Sequence, residues 1–154
     1  MTEDKVTTGV TGGCQCGAVR YRLDAVPSGT HICHCRMCQK AGGAPFMASV
    51  LTSSFAIIRG ALSTFQSSDI AERGFCAACG TPLTYRFLPG NITTVTLGSL
   101  DDPNAFVPYT QYGTESRLTW LAEALTAPET SVSDWFKRKG VASVSNHQHP
   151  DHET

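Results

Sequence analysis

Charge is scarce in this chain. Asp, Glu, Lys and Arg make up 16% of its 154 residues, well under the roughly 25% of an ordinary soluble domain. The two signs nearly cancel, 12 Lys+Arg against 13 Asp+Glu for a net charge of -1, so no overall field draws the chain to nucleic acid. With 41% hydrophobic residues it is also not a charge-rich disordered polymer. Long apolar runs are missing. The longest, Ala44 to Leu51, spans eight residues and contains Pro45 and Ser49, far short of the roughly 20 that a membrane-spanning helix needs. The opening Met1-Thr2-Glu3-Asp4-Lys5 is polar with no apolar stretch behind it, so no secretory signal is expected and the expected compartment is the cytoplasm. Neither a repeat nor a long linker is present, and the length fits one domain. A single domain over 1–140 is expected, followed by a polar tail over 141–154 whose last part, from Asn146, reads as disordered.

What is present divides into short strands and cysteines. Val19, Tyr21 and Leu23 alternate with Arg20 and Arg22, and Leu83, Tyr85 and Phe87 alternate with Thr84 and Arg86, the pattern of half-buried strands. Ala44 to Leu51 and Ile92 to Leu97 are apolar or β-branched on both faces, as strands covered on two sides can be. Phe55 to Ile58, Leu62 to Gln66 and Ile70 to Phe75 are weaker candidates. Frequent Gly and Pro between such segments predict a mainly β fold of sandwich, barrel or folded-over type. Helices are few. Ser131-Val132-Ser133-Asp134 reads as a capping box ahead of Trp135 and Phe136, with Lys137-Arg138-Lys139 where a helix C-terminus favours cations. Leu118, Leu121 and Leu125 have helical spacing, although a loop around a buried Trp120 fits as well.

The seven cysteines are an odd set that internal disulfides cannot close, and clustered thiols in a reducing compartment point to metal or redox chemistry. They fall into three groups: Cys14-Gln15-Cys16, Cys33-His34-Cys35-Arg36-Met37-Cys38 and Cys76-Ala77-Ala78-Cys79. Glycines flank the first and third groups and permit tight turns with amides aimed at sulfur. Tetrahedral zinc commonly takes its four ligands as two short pairs from separate turns, so Cys14, Cys16, Cys76 and Cys79 read as one closed structural zinc site. Free cysteine is often only a small core residue, but that suits scattered cysteines rather than two pairs in Gly-rich turns. A thioredoxin-like role for Cys76 and Cys79 would want a following helix, whereas Gly80-Thr81-Pro82 leads into a strand.

The middle group, Cys33, Cys35 and Cys38, has three thiolates and leaves the fourth position of a zinc ion open, the form of a catalytic site. Three thiolates make zinc a weaker Lewis acid than three histidines do, so water activation is disfavoured. A fourth thiol, deprotonated on arrival, suits this soft ligand set better. His31 or His34 could instead close the site as a fourth ligand. His147, His149 and His152 lie in the polar tail and read as solvated.

At these groups the chain resembles the glutathione-dependent formaldehyde-activating enzyme family, whose domain is shared with centromere protein V. The matching segments are Gly13-Cys14-Gln15-Cys16-Gly17, Cys33-His34-Cys35-Arg36-Met37-Cys38-Gln39-Lys40 and Phe75-Cys76-Ala77-Ala78-Cys79-Gly80-Thr81-Pro82, with Ser116 to Trp120 similar to a later element of the family. The resemblance covers roughly residues 9 to 125. It implies folded-over antiparallel sheets similar to the Mss4-like fold, with two zinc ions per chain. By position, Cys14, Cys16, Cys76 and Cys79 would hold the structural ion, and Cys33, Cys35 and Cys38 the catalytic one. The implied activity joins glutathione and formaldehyde, a carbon-sulfur lyase reaction run in reverse, with a small thiol such as glutathione as substrate.

Some positions depart from the family pattern. Met37, Gly42 and Ala44 stand where the family often has polar or hydroxyl side chains that would orient a substrate. Arg20, Arg22, Arg36 and Lys40 are the candidates for binding glutathione's carboxylates, with solvated surface charge as the alternative for each. A second reading is a non-catalytic binding module stiffened by zinc for a protein partner, which would be expected to carry a basic stripe or a charged extension if it bound nucleic acid. A redox or metal-storage role is a third, with nothing in the spacing that favours it.

Overall fold

The computed structural model describes residues 9–153, and the polar Met1–Lys5 segment and Thr154 lie outside them. The described residues form ten strands and three short α-helices: β1 (Val10–Gly13), β2 (Arg20–Leu23), β3 (Ser28–Cys33), α1 (Arg36–Gly42), β4 (Met47–Thr52), β5 (Ala56–Arg59), β6 (Ser63–Ser68), β7 (Ala71–Phe75), β8 (Pro82–Phe87), β9 (Ile92–Thr96), β10 (Thr110–Tyr112), α2 (Leu121–Ala124) and α3 (Val132–Arg138). A small sheet has the order β1-β2-β5 and a large one β10-β3-β4-β9-β8-β7-β6. The fold is mainly β, as the alternation of side chains predicts. One pairing departs from an all-antiparallel arrangement: β10 runs parallel to β3, with Tyr112 opposite Cys33. A strand of three residues, Thr110–Tyr112, is too short to show a periodicity, so this pairing leaves no mark in the sequence.

The strand register sorts side chains between two environments. Val50 and Val95 are paired and fully buried. They pack with Tyr21 and Leu23 of the small sheet and with Leu83, closing the core between the two sheets. Ser49 and Thr94, one residue away on the same strands, turn to the opposite face and border a cleft there with Tyr85 and Arg73. Alternation along a strand is what allows one sheet to serve as core wall and cleft floor at once.

Two polar ties join the sheets. Arg20 on β2 makes a bidentate pair with Asp101, Nη1 to Oδ1 at 2.8 Å and Nη2 to Oδ2 at 2.5 Å, and the Thr11 hydroxyl donates to the same carboxylate at 2.5 Å. The Tyr21 hydroxyl meets Ser99 Oγ at 2.7 Å, in the turn that follows β9. Gly12 sits where these elements converge: a Cβ there would stand 2.5 Å from the Ser99 carbonyl oxygen and 2.4 Å from Tyr21 Oη. Only a residue without Cβ permits so close an approach.

The helices match expectation in one case and not in another. Ser131 caps α3, accepting from the Asp134 amide at 3.1 Å. Trp120 is not buried. It is 49% exposed, stands just before the short α2, and lines a surface groove with Leu118, Arg36 and Lys40, because α2 is too short to fold it into the core. Residues 141–150 form neither helix nor strand, yet the His149 amide donates to the Gln15 carbonyl at 2.7 Å, which sets the tail against the β1–β2 turn.

Arg20 is 3% exposed and Asp101 13%, so removing either partner strands a buried charge, at a cost of roughly 3 kcal/mol. Asp101→Asn is therefore expected to lower the stability of the metal-loaded chain by about that amount at pH 7, read from its urea midpoint. Burial pushes the Asp101 carboxyl up, but the Arg20 and Thr11 hydrogen bonds outweigh it and hold the group below the usual carboxylate range. The stabilisation is thus complete above the ordinary carboxylate value of about 3.9 and fades as pH falls below it. The gap between wild type and Asp101→Asn should close in that acid range.

Candidate metal centres and cleft

The first cluster is built from two glycine-closed turns, one spanning three residues and the other four. After β1, the Gly17 amide donates to the Cys14 carbonyl and the Cys14 amide to the Val19 carbonyl. After β7, the Gly80 amide donates to the Cys76 carbonyl and the Cys76 amide to the Thr81 carbonyl. Each turn closes on a glycine in the left-handed region, Gly17 at φ +77° and Gly80 at φ +78°, a backbone that other residues adopt only with strain. The Thr81 hydroxyl accepts from the Gln15 amide at 3.0 Å and lies 3.1 Å from Cys79 Sγ, linking one turn to the other.

These turns bring Cys14, Cys16, Cys76 and Cys79 together, with all four sulfurs within 4.8 Å of one another. Cys14 and Cys16 sulfurs are 3.6 Å apart and those of Cys16 and Cys76 3.9 Å. Four sulfurs at about 2.3 Å from one tetrahedral zinc stand about 3.8 Å apart, whereas a disulfide would hold two at about 2.05 Å. The donor set thus fits a closed four-thiolate site that could bind a metal ion, consistent with zinc. The Val19 amide donates to Cys14 Sγ at 3.2 Å. Burial works against the Cys79 thiolate, but the Thr81 hydroxyl and nearby backbone amides outweigh it and bring its pKa down to about 6.

The second cluster forms where β3 gives way to α1. Cys33 ends β3, placed by pairing with Met47 on one side and Tyr112 on the other. Cys35 is the N-cap of α1 and its sulfur accepts from the Cys38 amide at 3.4 Å. Cys38 lies in the first turn and is buried. Gln39 locks the turn from behind, its Nε2 donating to the His34 carbonyl at 2.6 Å and to the Ser116 carbonyl at 2.9 Å. The resulting group is Cys33, Cys35 and Cys38, again with sulfurs within 4.8 Å, and among the described residues no histidine or carboxylate joins it. Burial pushes the Cys33 thiol up to about 12. At Cys35 burial is outweighed by the Cys38 amide and the neighbouring thiols, so its thiol lies below the ordinary value.

The histidines named from sequence are engaged elsewhere. His34 is buried, with Nε2 2.9 Å from Gln111 Oε1 and its ring edge-on to Phe46. His31 places Nδ1 2.8 Å from the Gly29 carbonyl oxygen, and its ring borders the cleft. Of the proposed carboxylate clamps, Arg20 is taken up by Asp101, and Arg22 pairs with Asp24 at 2.6 Å on the surface. Arg36 hydrogen-bonds Gln39 and, with Lys40, lines a groove along α1.

A cleft of about 560 Å³ opens beside the second cluster and is bordered by all three of its cysteines. Its walls are mainly apolar: Met37, Met47, Tyr85, Phe87 and Tyr112. Arg73 of β7, which no sequence motif marks, also lines this cleft. Its Nη2 donates to Cys38 Sγ at 3.5 Å and its guanidinium lies 5.1 Å from the centre of the Tyr85 ring. Gly113 was missed too. At φ +63°, it lies so close to the cluster that a Cβ would stand 2.7 Å from the Cys35 amide nitrogen. No local motif marks either residue.

The family profile described as glutathione-dependent formaldehyde-activating enzyme matches residues 9–116. An uncharacterized lyase of Schizosaccharomyces pombe is 31% identical over 80 residues, 51% of this chain and 58% of that protein, so the match spans little more than half of the relative's length. A crystal structure of a Rhodobacter sphaeroides protein superposes with a TM-score of 0.52 at 24% identity, over 66% of this chain and 98% of that one, a likeness of fold.

Gly113→Ala should force the Cys35 backbone aside and weaken the second cluster alone. Strain of this kind amounts to about 1–3 kcal/mol, so metal affinity at that cluster is expected to fall roughly 5- to 150-fold while the four-cysteine cluster keeps its affinity. Metal per chain against graded chelator, compared with wild type, checks this.

Proposed function

Because the chain belongs to the glutathione-dependent formaldehyde-activating enzyme family, we propose that it is a zinc-dependent carbon-sulfur lyase that forms or cleaves the adduct of a small thiol, glutathione or a close analogue, with an aldehyde such as formaldehyde. One observation carries this reading: a three-cysteine cluster, short of a fourth side-chain ligand, borders a cleft large enough for a small molecule. In this reading Cys14, Cys16, Cys76 and Cys79 hold a structural zinc, and Cys33, Cys35 and Cys38 hold the ion at which the thiol arrives. When bound there, zinc supplies a soft Lewis acid that lowers the pKa of an incoming thiol.

The chain's own residues do the rest. The amide of Cys38 and the guanidinium of Arg73 donate to ligand sulfurs, which orients the ligands and tempers their charge. The apolar walls hold water away from the reacting sulfur. Arg36 and Lys40, along the groove beside the cleft, are placed to receive carboxylates at the far end of a peptide thiol. In the forward direction a sulfur lone pair forms the bond to the aldehyde carbon, the carbonyl π pair moves onto oxygen, and the proton given up by the thiol ends on that oxygen. Cleavage is the reverse. Among the described residues no helix is long and apolar enough to cross a membrane, and a reducing cytoplasmic setting goes with open thiolates.

The test is the rate of exchange between free glutathione plus formaldehyde and their adduct, followed by NMR against the spontaneous rate. Wild type with two zinc ions per chain should accelerate exchange in both directions. Cys38→Ser should stay folded and lose the acceleration, whereas Cys14→Ser should lose folding stability. A wild-type chain holding two zinc ions that leaves the spontaneous rate unchanged with glutathione and with other small thiols would sink the assignment.

A further inference from the structure

Arg73 is a buried cation without a carboxylate partner. It is 9% exposed, it comes from β7 rather than from the cluster's own segment, and its Nε has no hydrogen-bond partner. Among the described residues no Asp or Glu borders the cleft. A guanidinium removed from water is costly unless something nearby carries compensating negative charge, and the contact that its geometry offers is Cys38 Sγ, 3.5 Å from Nη2. Thiolate sulfurs at this cluster would be its counter-ion.

The two clusters differ in this respect. At the four-cysteine cluster the hydrogen-bond donors to sulfur include the Val19 amide and the Thr81 hydroxyl, both neutral. At the three-cysteine cluster a full positive charge is built into the wall. Three thiolates and one divalent ion sum to a charge of -1, and an arriving thiolate would raise the repulsion further. With Arg73 counted, the site is neutral before the ligand arrives. The apolar side chains around it keep the local dielectric low, so that charge is felt strongly at the open face.

We propose that Arg73 is a positioning and specificity residue that makes the open face of the Cys33/Cys35/Cys38 cluster an anion site, admitting the substrate as a thiolate and favouring anionic over neutral ligands. The inference rests on the reading of that cluster as an open metal site. The cation-π contact with Tyr85 holds the guanidinium plane in place, and the pairing of Arg73 with Tyr85 across β7 and β8 sets where on the sheet that charge stands.

The experiment uses the zinc-loaded full chain as wild type, Arg73→Met and Arg73→Lys. Zinc per chain is measured, and calorimetric Kd values are taken for 2-mercaptoethanol, which binds as an anion, and for imidazole, which binds neutral. Arg73→Met is expected to weaken 2-mercaptoethanol at least about tenfold, the scale of a lost hydrogen bond to a charged group, and to leave imidazole affinity and zinc content unchanged. Arg73→Lys should restore most of the thiol affinity. A parallel loss for both ligands, or a loss of zinc in both variants, would assign Arg73 to packing and overturn the proposal. Equal thiol affinity in Arg73→Met and wild type would overturn it too, leaving the open-site reading intact. A wild-type chain that binds neither ligand would remove the open site and the proposal together.

Discussion

The tie between two hairpin turns is the constraint on which the rest of the structure depends. Cys14 and Cys16 follow the first strand of the small sheet, Cys76 and Cys79 join β7 to β8 of the large one, and all four sulfurs meet. The strands of the small sheet, β1, β2 and β5, have four residues each, and a sheet of that size needs packing against a partner to persist. The core between Tyr21 and Leu23 on one side and Val50 and Val95 on the other supplies some of this. A metal ion held by the four cysteines would add folding free energy of about 10 kcal/mol or more, applied at the edge that burial alone leaves weak. The Arg20–Asp101 pair reinforces the same junction, bordering a pocket together with Cys14 and Cys79.

That constraint also reaches the second site. Arg73 lies three residues before Cys76 on the strand that enters the turn carrying Cys76 and Cys79. Fixing Cys76 fixes the end of β7, and the β7–β8 register then sets Arg73 beside Tyr85 and over the cleft. The three-cysteine cluster arrives independently, on β3 and the first turn of α1, positioned by β4 and by the parallel β10. The cleft thus lies between parts of the chain that a metal ion in the four-cysteine cluster would help to hold in register. Loosening the first cluster would blur the second even though the two share no ligand.

How much of this was legible in the sequence follows from how local each feature is. Metal ligands come in pairs two or three residues apart, so the clusters could be read from spacing alone, and so could strands such as β8 whose alternation is regular. The capping of α3 by Ser131 is equally local. Arg73, Tyr112 and Gly113 are different, because their relation to Cys33–Cys38 is created by strand register across the large sheet. Nothing in the residues next to Arg73 distinguishes it from Arg86, which lies on the neighbouring strand and makes only exposed contacts with Asn91 and Glu72. Sequence proximity pointed to Arg20 as a substrate clamp, whereas the fold gives it to Asp101. His34 lies between two cluster cysteines in sequence, yet in the fold its ring turns to Gln111 and Phe46.

The scarcity of charge in this chain gives its buried arginines their meaning. A protein rich in Lys and Arg buries some of their stems without consequence, but here Lys and Arg together number 12, and Arg20 and Arg73 are the buried polar residues of that kind among the described residues. Each buried cation must be balanced where it stands. Arg20 is balanced by a carboxylate in bidentate geometry, a pair that is neutral, closed and structural. Arg73 faces sulfur at the edge of a cleft with no carboxylate in reach. Its balance therefore depends on the charge state of the cluster, and changes when a ligand enters. A structural arginine has no use for a partner whose charge varies, whereas a site that receives an anionic sulfur and releases it again does. The same residue type, buried to a similar degree in the same small protein, thus ties one sheet junction through a carboxylate and faces the cluster sulfurs at the edge of one cleft.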